Sequence, residues 1–104
     1  MLIERTIRAQ LVRLFRQYPV VTLTGPRQSG KTTLCRATFP DLPYINLERP
    51  DIRESVSADP LGFLRRHQGG AVIDEIQRIP DLVSYIQADV DEVGENGRFV
   101  LTGE

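Results

Sequence analysis

The sequence predicts an α/β protein, a parallel sheet with helices on both faces. Two observations lead there. Short β-branched apolar runs alternate with helix-period segments along the whole chain, an order that implies right-handed crossovers and parallel pairing. The runs at 20–24 and 71–75 are nearly continuous in apolar residues, the pattern of strands covered on both faces. With 104 residues, 40% of them apolar and 26% charged, the chain has room for one domain and a modest core.

The elements follow in order. Ile3, Ile7, Leu11, Leu14 and Phe15 recur at helical spacing, with Arg5, Arg8, Arg13 and Arg16 off that stripe, so residues 3–17 read as a helix. Tyr18-Pro19 ends it, because the residue before a proline leaves the helical region. Val20-Val21-Thr22-Leu23-Thr24 is a strand, a Gly- and Pro-bearing turn follows, and a helix runs from about Lys31 to Thr38. Tyr44-Ile45-Asn46-Leu47 is a short second strand. Residues 49–67 form one or two helices, the second starting at Pro60 with Asp59 as its cap. Gly69-Gly70 breaks the chain before the strand Ala71-Val72-Ile73-Asp74-Glu75. A helix from Pro80 to about Val93 and a turn from Gly94 to Gly97 lead to a last strand, Arg98 to Thr102.

Composition narrows the function classes. The values sit near the soluble globular average, against collagen-like, coiled-coil and disordered chains. No apolar run is long enough to span a bilayer, and the charged start MLIERTIRAQ does not resemble a signal peptide. The lone cysteine, Cys35, has no internal partner. Together these predict a cytoplasmic protein. Charge is uneven: residues 1–40 carry Arg5, Arg8, Arg13, Arg16, Arg27, Lys31 and Arg36 against Glu4 alone, while acids dominate the rest. The single lysine is Lys31.

That lysine closes a motif. Gly25-Pro26-Arg27-Gln28-Ser29-Gly30-Lys31-Thr32 fits G-x-x-x-x-G-K-[ST] in full. Glycines let the backbone fold into a nest whose N–H groups face phosphate oxygens, and the following helix adds the positive end of its dipole. Lys31 would reach the β- and γ-phosphates, and Thr32 would offer its hydroxyl to Mg²⁺. A chance match in a chain this long is on the order of a few in a thousand, and the required strand-before, helix-after context is met. Gly25 to Thr32, with Thr33 next on the helix, are the candidate nucleotide-binding residues.

Asp74-Glu75 supplies the second half. Ligands of open parallel sheets bind beyond the carboxyl ends of the strands, so Asp74 should share an edge with Gly25. Thr32 and Asp74 are the candidate Mg²⁺ residues, Asp74 acting through the water shell that this ion keeps. Glu75 and Lys31 are the candidate catalytic residues, with Glu75 as the base toward water. An acid beside the metal aspartate suits nucleotide hydrolysis and is not needed by a small-molecule kinase. Cys35 reads as core, His67 as a helix-end histidine, and Tyr18, Tyr44 and Tyr85 as scattered. Arg78 is a weaker candidate for a phosphate or a neighbouring subunit. The arginine face of residues 5–16 reads as a solvated face more readily than as a nucleic-acid contact.

TLTGPRQSGKTTL at 22–34, YINLERPDIRE at 44–54, AVIDEIQRIPDL at 71–82 and RFVLTG at 98–103 resemble the AAA-type ATPase core of a bacterial and archaeal family of ATP-binding proteins with an additional C-terminal domain. The resemblance covers nearly the whole chain. It implies a three-layer P-loop NTPase core with a parallel sheet, Gly25 to Thr32 as Walker A and Asp74-Glu75 as Walker B. It places the strand at 98–102 between those at 20–24 and 71–75, as the sensor-1 strand. It implies ATP and Mg²⁺ as ligands and ATP hydrolysis in the complete family member. ATP over GTP rests on the resemblance, since a phosphate loop does not read the base.

By the same likeness the sequence reads as residues 1–104 of a longer chain, a partial ATP-binding domain lacking a fifth strand, a lid and an arginine finger. Binding is then expected to survive better than turnover. Two alternatives stand beside this reading. One is a non-catalytic module that completes its sheet with a partner or a full-length relative through an exposed edge. The other is a small-molecule or nucleotide kinase.

Overall fold

The computed structural model describes residues 2–26 and 30–104, with the side chains of the first helix from residue 5 onward. Helix α1 (Leu2–Gln17) leads into strand β1 (Val20–Thr24), helix α2 (Lys31–Thr38) and strand β2 (Tyr44–Asn46). Helices α3 (Pro50–Ala58) and α4 (Pro60–Arg66) precede strand β3 (Ala71–Asp74). A 3₁₀ turn (Ile76–Arg78), helix α5 (Pro80–Val93) and strand β4 (Phe99–Gly103) complete the described chain.

The four strands form one parallel sheet in the order β1-β4-β3-β2. The last strand is therefore inserted beside the first, as the resemblance implied. The chain is an α/β domain with the layers of a P-loop NTPase-like core. Alternation along the strands builds two apolar layers. Ala71, Ile73, Phe99 and Leu101 pack under α3, α4 and α5, against Val56, Phe63, Leu82, Ile86 and Val90. Val72 and Val100 face the other way, toward Leu11 of α1 and Cys35 of α2, with Ile7, Leu14 and Phe15 partly buried beside them.

Local chemistry explains the boundaries. Asp59 caps α4, its Oδ1 accepting from the Gly62 N–H at 3.0 Å, and Pro60 stands at the first helical position. Pro50 and Pro80 open α3 and α5 in the same way. Gly70 has φ +98°, and a Cβ there would lie 1.7 Å from the Arg98 carbonyl oxygen, so the entry to β3 admits only glycine.

Two expectations need correction. β1 is not covered on both faces: Val21 is buried, but Thr22 and Thr24 are exposed. The helices over that layer pack on β3 and β4, and the threonines occupy the face they leave open. The strand expected through Glu75 stops at Asp74, because Glu75 takes a left-handed conformation, φ 61° and ψ 49°, and starts the 3₁₀ turn. Among the described residues no helix is long and apolar enough to cross a membrane.

Candidate functional site

The carboxyl ends of the strands gather the polar residues that the sequence singled out. Gly30 adopts φ +84°, ψ 9°, which turns the chain into α2, and its carbonyl accepts the Leu34 N–H at 2.9 Å. A Cβ there would meet nothing within 4 Å; the glycine is needed for its backbone angle, not for space. The Gly25 N–H donates to the Gly103 carbonyl at 3.2 Å, tying the start of the loop to the end of β4. Lys31 Nζ donates to the carbonyls of Gly25 at 2.6 Å and Pro26 at 2.7 Å. Its ammonium is thus held over the loop by neutral acceptors. Arg27, Gln28 and Ser29 lie outside the described residues, and Thr33 is exposed on the first turn of α2.

Asp74 is the centre of the cluster. It is 7% exposed and surrounded by hydroxyls. Thr32 Oγ1 donates to its Oδ2 at 2.9 Å, the Tyr44 hydroxyl to the same oxygen at 2.6 Å, and Thr102 Oγ1 to Oδ1 at 2.5 Å. Burial alone raises the pKa of this carboxyl. The hydroxyls of Thr102, Tyr44 and Thr32 and the Glu75 backbone N–H outweigh it and hold Asp74 below its ordinary value. The same contacts act in reverse on their partners. Burial, the hydrogen bond to Asp74 and its charge push Tyr44 up. Burial, with the Asp74 charge second, pushes the Cys35 thiol up to about 11.

Glu75 stands one residue on, half-buried, its carboxylate accepting from Gln77 Nε2. A left-handed glutamate is uncommon and carries some backbone strain. It turns the side chain away from the strand direction that Asp74 follows. Arg78 is engaged elsewhere among the described residues. It forms a bidentate pair with Glu48, Nε at 3.2 Å and Nη2 at 3.1 Å, which ties the 3₁₀ turn to the segment after β2.

The structure therefore brings Gly25, Pro26, Gly30, Lys31, Thr32, Asp74 and Glu75 to one edge. It also adds three residues that sequence reasoning did not include. Thr102 is one: β4 runs level with β3, Ile73 opposite Leu101, so the next residue on each strand meets the other. Tyr44 enters diagonally from β2: it stands opposite Val72, two residues before Asp74 on β3, and its long side chain reaches the carboxylate. Gln77 completes the set. The register between strands, not their order alone, brings Thr102 and Tyr44 to Asp74. Cys35 is fully buried, as a core cysteine should be. His67 caps the end of α4 with its ring 4.7 Å from that of Phe63, and burial, then the Arg66 charge, lowers its pKa. Arg5, Arg8, Arg13 and Arg16 are all exposed.

A parallel α/β sheet with a lysine-bearing loop and an acidic strand end defines a class, the P-loop NTPase-like core. A family model described as an AAA domain matches residues 17–104, and the chain belongs to that family. Its function is accordingly of the nucleotide-binding, AAA-like kind. Two curated relatives are each 41% identical over 105 residues, an uncharacterized protein of Mycobacterium bovis and one of Mycobacterium tuberculosis. The match covers 99% of this chain and 24% of each relative, so the chain spans about a quarter of their length. No solved structure matches.

Proposed function

We propose that the chain is a Mg·ATP-binding AAA-type domain whose Walker A loop is Gly25 to Thr32 and whose Walker B pair is Asp74-Glu75. The observation that carries this reading is the state of Asp74. It is a buried carboxylate kept ionised by hydroxyls and a backbone N–H, and among the described residues no cationic side chain pairs with it. A buried charge without a counter-ion is costly, and a divalent cation supplies one. The donor set fits Mg²⁺, a hard ion that takes oxygen ligands, keeps several waters and needs only one or two protein oxygens beside phosphates.

In this reading Thr32 and Asp74 would hold Mg²⁺, which would supply charge neutralisation at the phosphate oxygens. Lys31 exchanges the carbonyls of Gly25 and Pro26 for phosphate oxygens, a stronger, charge-assisted pairing. The backbone N–H groups of the first turn of α2 would face the same anion. Glu75 orients water and accepts its proton, and Gln77 holds the glutamate carboxylate in place. An arginine supplied in cis or in trans is worth about 10³–10⁵ in the rate of such reactions, so turnover is proposed to depend on one. The same reading places the protein in the cytoplasm.

Calorimetry of Mg·ATP on the purified chain, with Lys31→Ala in parallel, tests this. Saturable binding that disappears in the variant is the expected result. A folded wild-type chain that binds nothing overturns it. The half-exposed edge strand β1, paired with β4 alone among the described residues, favours a second reading, a module that accepts a partner strand. That reading predicts association indifferent to nucleotide.

A further inference from the structure

Asp74 has more donors than a metal-facing carboxylate can keep. A carboxylate offers about four lone-pair positions. Thr32 and Tyr44 both donate to Oδ2, and Thr102 donates to Oδ1. Two donors fill the lone-pair positions of Oδ2. A water from the shell of a divalent cation has to displace one of them before it can donate to that oxygen.

The three donors are unequal in their freedom to leave. Thr102 is 0% exposed in β4, inside the sheet. Thr32 keeps its oxygen lone pairs free while its proton stays on Asp74, so it has no need to move. Tyr44 differs on every count. It starts a three-residue strand at the sheet edge and is half-buried. Its ring borders an open cleft of about 520 Å³ shared with Phe39, Leu42 and Val72. The exposed Arg36 guanidinium lies 4.5 Å from the ring centroid, a cation–π contact that a swinging ring can keep.

We propose that Tyr44 sets the metal affinity of this site: its hydroxyl occupies the Asp74 Oδ2 position that the hydration shell of a divalent cation takes, and it swings toward the Arg36 cleft when the cation arrives. Tyr44 is a positioning residue that touches neither phosphate nor the attacked atom. The inference rests on the Mg·ATP reading of the site. Its consequence is specific. The hydroxyl competes with the cation, so removing it tightens metal binding, the opposite of what loss of a supporting contact would do.

The test is the ratio of ATP affinity in Mg²⁺ to ATP affinity in EDTA, for wild type and Tyr44→Phe. Phenylalanine keeps the ring and its packing. The expected result is a ratio about tenfold higher in the variant, the loss of one charge-assisted competitor, with affinity in EDTA unchanged. The chain has no tryptophan, so tyrosine emission gives a second readout. A tyrosine hydrogen-bonded to a carboxylate is quenched; Mg·ATP should raise emission in wild type more than in Tyr44→Phe. An unchanged or lower ratio overturns the proposal while leaving the site reading intact. A wild-type chain whose ATP binding ignores Mg²⁺, or is absent, overturns both.

Discussion

The two ends of the sheet handle buried charge in opposite ways. At the carboxyl edge, Asp74 is surrounded by neutral hydroxyls. At the amino edge, Arg98 is 2% exposed and answered by a formal charge, Asp89 Oδ2, 2.7 Å from Nη2. Nε of Arg98 donates to the Gln68 carbonyl at 3.2 Å, and its guanidinium lies 5.0 Å from the Phe99 ring centroid. The contact to Asp89 is close but poorly aligned, so neither Nη atom makes a hydrogen bond of good geometry. The Arg98 end is closed, and its contacts act within the fold. The Asp74 end keeps a charge without a fixed counter-charge, which is what a site reserved for a cation requires.

The largest expected effect falls on the closed end. Gly70→Ala would place a Cβ 1.7 Å from the Arg98 carbonyl oxygen at φ +98°. It should cost more than about 4 kcal/mol or prevent folding altogether, as read by urea unfolding. Asp89→Ala, which strips the buried Arg98 of its counter-charge, should cost about 3 kcal/mol. ATP affinity in the surviving fold should be unchanged, and a parallel loss of both would show that the two ends are not independent.

Asp74→Asn sharpens the contrast. The hydroxyls can rotate to serve an amide, so stability should fall by only about 1 kcal/mol, while the Mg²⁺ enhancement of ATP binding disappears. The acid limb should change as well. Because the folded pKa of Asp74 lies below its unfolded value of 3.8, its contribution is present above that value and lost as pH falls through the folded one. Denaturant midpoints followed through that acid range should drop less steeply in the variant.

The smallest effect concerns Cys35. Its folded pKa of about 11 exceeds the unfolded 9.0, so the fold favours the neutral thiol. That contribution is whole below 9.0 and is lost as pH rises toward 11. Cys35→Ala should flatten this alkaline decline, and the native thiol should stay inert to alkylation until the protein opens.

Much of this was legible from local signals. Pro80 through Val93 is a helix because a proline opens it and Gly94 closes it, both readable as letters. The phosphate loop and Asp74-Glu75 were likewise visible, since each is a contiguous motif. Thr102 and Tyr44 were not, because their meeting with Asp74 depends on the register of β4 and β2 against β3. The exposure of β1 was misread for a related reason. A five-residue apolar run shows that a strand is compatible with burial, whereas the helices placed over the sheet decide whether it is buried. The turn at Glu75 broke the local rule outright, since nothing in a glutamate favours a left-handed backbone.

The insertion of β4 between β1 and β3 also governs how the chain is made. Val20 finds its partner in Phe99 and Val21 in Val100, so among the described strands β1 has no neighbour until β4 is made. Residues 20–24 must wait as an unpaired, β-prone segment through the synthesis of everything between, the circumstance in which a nascent strand pairs with the wrong chain. The two threonines on its open face, Thr22 and Thr24, blunt that hazard by interrupting the apolar run. β2 and β3 pair with each other without β4, whereas β1 joins the sheet only through β4, a late step whose rate should be set by the closure of that long loop.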